Sequence, residues 1–163
     1  MRKALISVFD KRGIVELAQK LISEGFEIIA SNGTCNYLKQ YNIESTFISD
    51  FTQFEEILGG RVKTLHPKIY ANILNIEENT SETIDVIVVN LYPFHDNACI
   101  ENIDIGGVSL IRASAKNYKH KIILTDPDQY SSYINKSVDN KKLASEAFKL
   151  TQEYDMAIMK WLD

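Results

Sequence analysis

The run Ile84-Asp85-Val86-Ile87-Val88-Val89-Asn90-Leu91 constrains this chain more than any other stretch. It is β-branched and nearly apolar from end to end. It therefore reads as a strand covered on both faces, as in a parallel sheet. Ala4-Leu5-Ile6-Ser7-Val8-Phe9, Phe26-Glu27-Ile28-Ile29-Ala30 and Lys121-Ile122-Ile123-Leu124-Thr125 have the same character, and Ile43 to Ile48 adds a further extended segment. Buried parallel strands need helical crossovers between them, and the sequence between the runs changes to a helical period.

Ile14, Leu17, Ala18, Leu21 and Ile22 mark one face of a helix that Gly25 stops. A short helical segment reaches Leu38. Phe54 to Leu58 predicts one or two helical turns ended by Gly59-Gly60, and Arg61 to Pro67 reads as a loop. Gly106-Gly107 opens a helix over Val108 to Ala115. After Pro127 comes a short helical piece, then a long helix from about Asn140. Leu143, Ala147, Leu150, Tyr154, Ile158 and Trp161 keep one apolar stripe on it. Alternating strands and helices over 163 residues define the α/β class, with a mainly parallel sheet, helices on both faces and a single domain over 1–163.

Composition removes several function classes. A net charge of −4, with acidic and basic residues mixed, leaves no basic stripe for nucleic acid. No apolar run approaches the roughly 20 residues of a membrane helix. Cys35 and Cys99 lie far apart in no metal-like spacing, and the N-terminus has no secretory h-region. A cytoplasmic protein with reduced thiols and no metal site is the expectation.

In parallel sheets ligands gather beyond the carboxyl ends of the strands. Asp10-Lys11-Arg12-Gly13 follows the first strand and Ser31-Asn32-Gly33-Thr34 the second. The Ser31 turn has two readings. Its N–H groups and hydroxyls can hold a phosphate at a helix N-terminus, with Lys11 as countercharge, or Ser31 and Thr34 simply cap the helix. The loop Gly59-Gly60-Arg61-Val62-Lys63-Thr64-Leu65-His66-Pro67 gathers cations beside two glycines, and His66 before Pro67 reads as structural. Asn90 and Tyr92 follow the strongest strand. Asp104, in Asn102-Ile103-Asp104-Ile105-Gly106-Gly107, either caps the next helix or works beside an oxyanion site made by N–H groups around Ile105 and Gly106. Lys116 near that helix's end suits the helix dipole by itself.

Taken together, Leu5 to Lys11, Ser31 to Thr34, Gly59 to Pro67, Asn90 to Phe94, Ile103 to Gly107, Arg112-Ala113, Ala115 to Asn117 and Glu153 to Asp155 resemble the IMP cyclohydrolase domain of the bifunctional purine-biosynthesis family that also carries an AICAR transformylase. The resemblance covers essentially the whole chain. It implies a three-layer methylglyoxal-synthase-like fold. It also implies ring closure of 5-formamidoimidazole-4-carboxamide ribotide (FAICAR) to inosine 5′-monophosphate (IMP), without metal or organic cofactor. Lys63, Tyr92, Asp104 and Lys116 look like the family's catalytic group. By the same resemblance Lys11 and Ser31 to Thr34, with Asn32 and Gly33 between, hold the ribotide phosphate. Arg61, Lys63, Thr64, Asn90 and Asp104 surround the imidazole, and Asp10, Val62, Ile105 and Gly106 are further substrate-binding positions.

Family members are dimeric, so a homodimer is an expectation, as is a separate AICAR transformylase that supplies the substrate. The chain stops where the family's second domain would begin, and no transformylase activity is expected of it. Two positions depart from the family pattern. Phe9 stands where a Ser is common, and Asn32 replaces a Gly in a turn where Asn would tolerate left-handed backbone. Methylglyoxal synthase and a phosphorylated-effector-binding module share the fold and are the competing readings. Neither explains Lys63, Asp104 and Lys116 together.

Overall fold

Each apolar run becomes a strand, and helical crossovers between successive strands keep them all parallel. The computed structural model describes residues 2–60, 62–77 and 82–163. Its strands are β1 (Arg2–Ser7), β2 (Glu27–Ala30), β3 (Thr46–Phe47), β4 (Thr83–Val89) and β5 (Ile122–Leu124). The helices are α1 (Ile14–Ser23), α2 (Asn32–Lys39), α3 (Ile48–Thr52), α4 (Pro67–Leu74), α5 (Gly106–Lys116), α6 (Tyr130–Ile134) and α7 (Asn140–Leu162). Among the described residues the strands form one parallel sheet in the order β3-β2-β1-β4-β5.

β1 is central. Its Leu5 lies opposite Ile29 of β2 on one side and Ile87 of β4 on the other. Strand order runs outward from β1 in both directions, and right-handed crossovers then put helices on opposite faces. α1 packs on β2 and α6, whereas α4 and α5 pack on β4, and α7 covers α5 and β5. Leu5, Ile6, Ile29, Ile84 and Ile87 are fully buried between these layers, as the two-sided apolar pattern requires. The chain direction reverses its march between β1 and β4, so a crevice opens beyond those two strand tips. Among the described residues no helix is long and apolar enough to cross a membrane.

Three local readings of the sequence need correction. Residues 54–58 are not helical. Leu58, Gly59 and Gly60 all have positive φ (55°, 66° and 83°), which closes a tight turn, and Ile57 bridges Val62 in antiparallel fashion. A helix cannot continue through consecutive left-handed residues. The extended segment expected over 43–48 pairs only at Thr46–Phe47, and Ile48 already begins α3. The loop expected to run through Pro67 ends at His66, where α4 starts. Pro67 sits in the first turn, and His66 Nδ1 accepts the Lys68 N–H at 3.2 Å. That is the preferred place for a helical proline, and it gives His66 a structural role.

The sheet's opposite end is held by buried charge. Lys121 is 3% exposed and donates to Asp85 at 3.1 Å, while Arg2 donates to Asp85 at 3.2 Å. Burial opposes ionisation of Asp85, but hydrogen bonds from Thr83, Lys121 and Arg2 outweigh it and hold the carboxyl below its usual range. Replacing Asp85 by Asn leaves the Lys121 ammonium buried without a carboxylate. It should lower the unfolding free energy by about 3 kcal/mol at neutral pH. A carboxylate with a depressed pKa stabilises the fold above its unfolded value of about 3.9, and loses that contribution as pH falls through the folded value. The difference between wild type and Asp85→Asn should therefore shrink in acid. Urea unfolding of both proteins at neutral and acid pH measures it, and a pH-independent difference would contradict the assignment.

Candidate active site

The crevice beyond β1 and β4 is built first by one side chain. Asn90, directly after β4, accepts the Phe9 and Asp10 N–H groups on Oδ1 at 2.7 and 3.0 Å, and its Nδ2 donates to the Asp10 carbonyl at 2.9 Å. Three hydrogen bonds commit this amide to joining the two central strand tips. The Asp10 carboxylate faces Arg12 instead, accepting its backbone N–H at 3.0 Å and its Nε at 2.8 Å. Those bonds hold the Asp10 carboxyl below its ordinary range. Lys11 curls back, its ammonium donating to the Val8 and Phe9 carbonyls at 3.2 and 3.3 Å.

The second wall is the Ser31 turn. Ser31 donates to Thr34 Oγ1 at 3.2 Å, and Thr34 Oγ1 accepts the Val8 N–H at 3.4 Å. Both hydroxyls are buried and fasten the turn to the tip of β1. Neither caps α2: Ser31 occupies the N-cap without a side-chain bond. The first N–H groups of α2, from Asn32 and Gly33, have no intrahelical acceptor and give this end its partial positive charge. Asn32 is the first helical residue and lacks positive φ, so Asn in place of Gly here needs no left-handed backbone.

The third wall joins the loop around Lys63 to the start of α5. Thr64 is 5% exposed and lies so close to Gly106 that a Cβ there would overlap Thr64 Oγ1. A Cβ on Gly107 would come within 2.5 Å of Asp104 Oδ2 and 2.9 Å of Leu91. The two glycines are therefore demanded by close approach. Asp104 Oδ1 accepts the Gly107 N–H at 2.7 Å, so Asp104 does cap α5. Among the described residues no acceptor within the chain takes the Gly106 N–H, which leaves it free for a ligand oxygen.

These walls enclose a cleft of about 680 Å³. Of the residues singled out in the sequence, Ser31, Gly33, Lys63, Thr64, Asn90, Tyr92, Asp104, Ile105 and Gly106 line it together. Asp10, Lys11, Asn32, Val62 and Thr34 do not; Val62 is spent on its bridge to Ile57. Arg61 lies outside the described residues. Lys116 is not in the cleft either. It lines a second cavity of about 630 Å³ between α5 and α7, beside Arg112 and Phe148. Asp104 and Ile105 border both cavities. Lys116 is the last residue of α5, whereas Asp104 lies just before its start, so the two side chains belong to opposite ends of that helix.

Phe9 is a site residue that its chemistry did not suggest. It is 55% exposed, lines the cleft, and meets Tyr92 edge-to-face with centroids 4.5 Å apart at 87°. Such a pair is worth about 0.5–1.5 kcal/mol and fixes the phenol ring of Tyr92 against the tip of β1. Among the described residues no group of three or more His, Cys, Asp or Glu side chains is placed to hold a metal ion.

The fold is that of a known class. Residues 13–119 match the MGS-like domain family, and the chain belongs to it. Residues 114–163 match the AICARFT/IMPCHase bienzyme family. The bifunctional purine biosynthesis protein PurH of Persephonella marina is 44% identical over 188 aligned residues, covering 99% of this chain and 36% of that protein. PurH of Thermoanaerobacter sp. is 46% identical, covering 99% and 37%. The chain thus spans about a third of the length of the curated relatives it matches. A crystal structure of ForH superimposes with a TM-score of 0.85 at 29% identity, covering 98% of this chain and 95% of that one.

The contact between Gly106 and Thr64 gives a direct test. Gly106→Ala should destabilise the protein by about 1–3 kcal/mol through overpacking. Adding Thr64→Ala, which removes the overlapped oxygen, should cost less than the two single changes summed. Denaturant unfolding of the four proteins measures this. Strict additivity would show that the two residues do not touch.

Proposed function

We propose that the chain is an IMP cyclohydrolase that closes FAICAR to IMP. One observation carries the reading: Lys63, Tyr92, Asp104 and Gly106, whose N–H is free, line one cleft together with Ser31 and Gly33 at the start of α2. An anionic ribotide tail suits the α2 end, where backbone N–H groups and the helix dipole favour negative charge. The reacting imidazole then lies against Lys63, Tyr92 and Asp104. The relatives' name, purine biosynthesis protein, and the match to the AICARFT/IMPCHase family support the same reading.

In the reaction the carboxamide nitrogen of the substrate attacks its neighbouring formyl carbon. A C–N bond forms as the formyl C=O becomes an alkoxide, and the attacking nitrogen loses one proton while the oxygen gains one, giving a carbinolamine. The oxygen then takes a second proton, the C–O bond breaks and water leaves, and the former formamide nitrogen gives up its N–H proton as the C=N bond of the new ring forms. Both partners sit on one molecule, and well-oriented intramolecular cases reach effective molarities of roughly 10⁵–10⁸ M. What the protein adds is orientation, charge stabilisation and proton transfer. Lys63 and the Gly106 N–H stabilise the alkoxide in this reading. Asp104 is the group that takes the amide proton, and Tyr92 passes a proton to the departing oxygen. Lys116 acts from the far side of α5, through the cavity it shares with Asp104. A homodimer in the cytoplasm, fed by a separate AICAR transformylase, completes the proposal.

Mixing the protein with FAICAR and following the ultraviolet rise of inosinate tests it. Turnover is expected in the wild type. Asp104→Asn should lower kcat by about 10²–10⁴-fold, the usual range for a lost general acid or base. Lys116→Ala should also lower kcat while IMP binding stays measurable, and full turnover in that variant would remove Lys116 from the mechanism. If the wild type makes methylglyoxal from dihydroxyacetone phosphate, or binds IMP and never forms it, the proposal fails.

A further inference from the structure

Asp104 stands at the end of a segment that neither helix nor strand supports. Ile100–Asn102 is a single 3-10 turn, and the next regular element is α5 at Gly106. Something must fix the backbone between them, because a carboxylate that moves protons has to be held to a fraction of an ångström. Tyr154, on the far element α7, does so from beneath. Its hydroxyl accepts the Asp104 N–H at 2.8 Å and donates to the Asn102 carbonyl at 3.0 Å. One oxygen thus pins both sides of Ile103, and Asp104 passes the restraint on by capping Gly107.

The ring that carries this hydroxyl is held independently of it. Tyr154 is 7% exposed and meets Phe94 with centroids 6.1 Å apart, while Phe94 in turn meets Trp161 at 5.6 Å. Removing only the oxygen should therefore leave the ring where it is. Burial pushes the Tyr154 hydroxyl above its ordinary pKa, which keeps it a protonated donor at neutral pH. Tyr154 also lies outside the stretch matched by the general MGS-like family, 13–119, and inside the stretch matched by the bienzyme family, 114–163. Asp104 lies inside the first. The support for the Asp104 carboxylate therefore comes from beyond the stretch that the MGS-like family matches.

We propose that Tyr154 is a positioning residue for the ring closure, acting through the backbone of Asn102 and Asp104 to aim the Asp104 carboxylate into the cleft. This rests on the reading of the cleft as an IMP cyclohydrolase site. A misplacement of about 1 Å can cost about 10²-fold in rate without touching the chemistry. The phosphate end of the cleft, built on β1 and α2, has no part in the Tyr154 contacts and should not feel the loss.

The test is Tyr154→Phe in the full chain, alone and combined with Asp104→Asn. The expected result is a kcat about tenfold or more below wild type, with KM and the IMP dissociation constant changed by about threefold or less. In the Asp104→Asn background the same change should add little, because the group it positions is already gone. Amide hydrogen exchange should quicken at Asp104 and stay unchanged in β4. A Tyr154→Phe protein with full kcat, or with its loss in KM alone, or with effects that multiply fully with Asp104→Asn, overturns the proposal. If the wild type does not turn over FAICAR, the functional reading fails and the exchange measurement decides the rest. Unchanged exchange at Asp104 then overturns the restraint, and quickened exchange there keeps it for whatever reaction the cleft performs.

Discussion

The amide of Asn90 ties the carboxyl ends of the two central strands to each other, and the cleft depends on that tie. β1 and β4 are hydrogen-bonded along their length, but beyond Ser7 and Val89 the sheet gives no further support. Asn90 continues the pairing by side chain, taking both N–H groups of the Phe9–Asp10 turn and returning one donor to the Asp10 carbonyl. The turn then presents Phe9 to Tyr92 on one side, and meets the buried Thr34 hydroxyl on the other. An Asp in this position would lack the donor and set a carboxylate against a carbonyl.

Around that tie the protein aims two helix starts at one space. α2 begins after β2, and α5 begins after the segment that carries Asp104. Each contributes N–H groups that its own turns cannot satisfy, so the cleft is favourable for anions although the chain carries a net charge of −4. Close packing makes the second start usable. Gly106 and Gly107 let Thr64, Leu91 and Asp104 approach the helix backbone directly, and any side chain there would push the Lys63 loop away from the reacting end.

Much of the fold was legible because its signals are local. β4 is apolar on both faces, α7 keeps a 3.6-residue stripe through Tyr154, and the strand tips are where parallel sheets collect ligands. The failures were also physical. The left-handed run at 58–60 begins with a leucine, which no propensity rule marks, and it replaced an expected helix by a turn. α4 was signalled by His66-Pro67, a cap followed by a helical proline, but the period of Ile69, Tyr70, Ile73 and Leu74 lasts barely two turns. Within the site, residue type pointed to Lys63, Tyr92 and Asp104 and the structure gathers them. Asn90 lines the cleft and Thr34 lies behind it, and both are spent on holding it together, which depends on contacts some 80 and 26 residues away along the chain. Phe9 looked like a lost hydroxyl and is an aromatic wall. Lys116 lines the neighbouring cavity, which Asp104 also borders, and not the cleft.

The most direct measurement of the central claim, that one strand-tip cleft holds the nucleotide end to end, is a titration of isotopically labelled protein with IMP followed by amide chemical shifts. The account predicts that Gly33 at the start of α2, Lys63, and Gly106 at the start of α5 move together along one saturation curve. Shifts confined to Arg112, Lys116 and Phe148, in the cavity between α5 and α7, would contradict it.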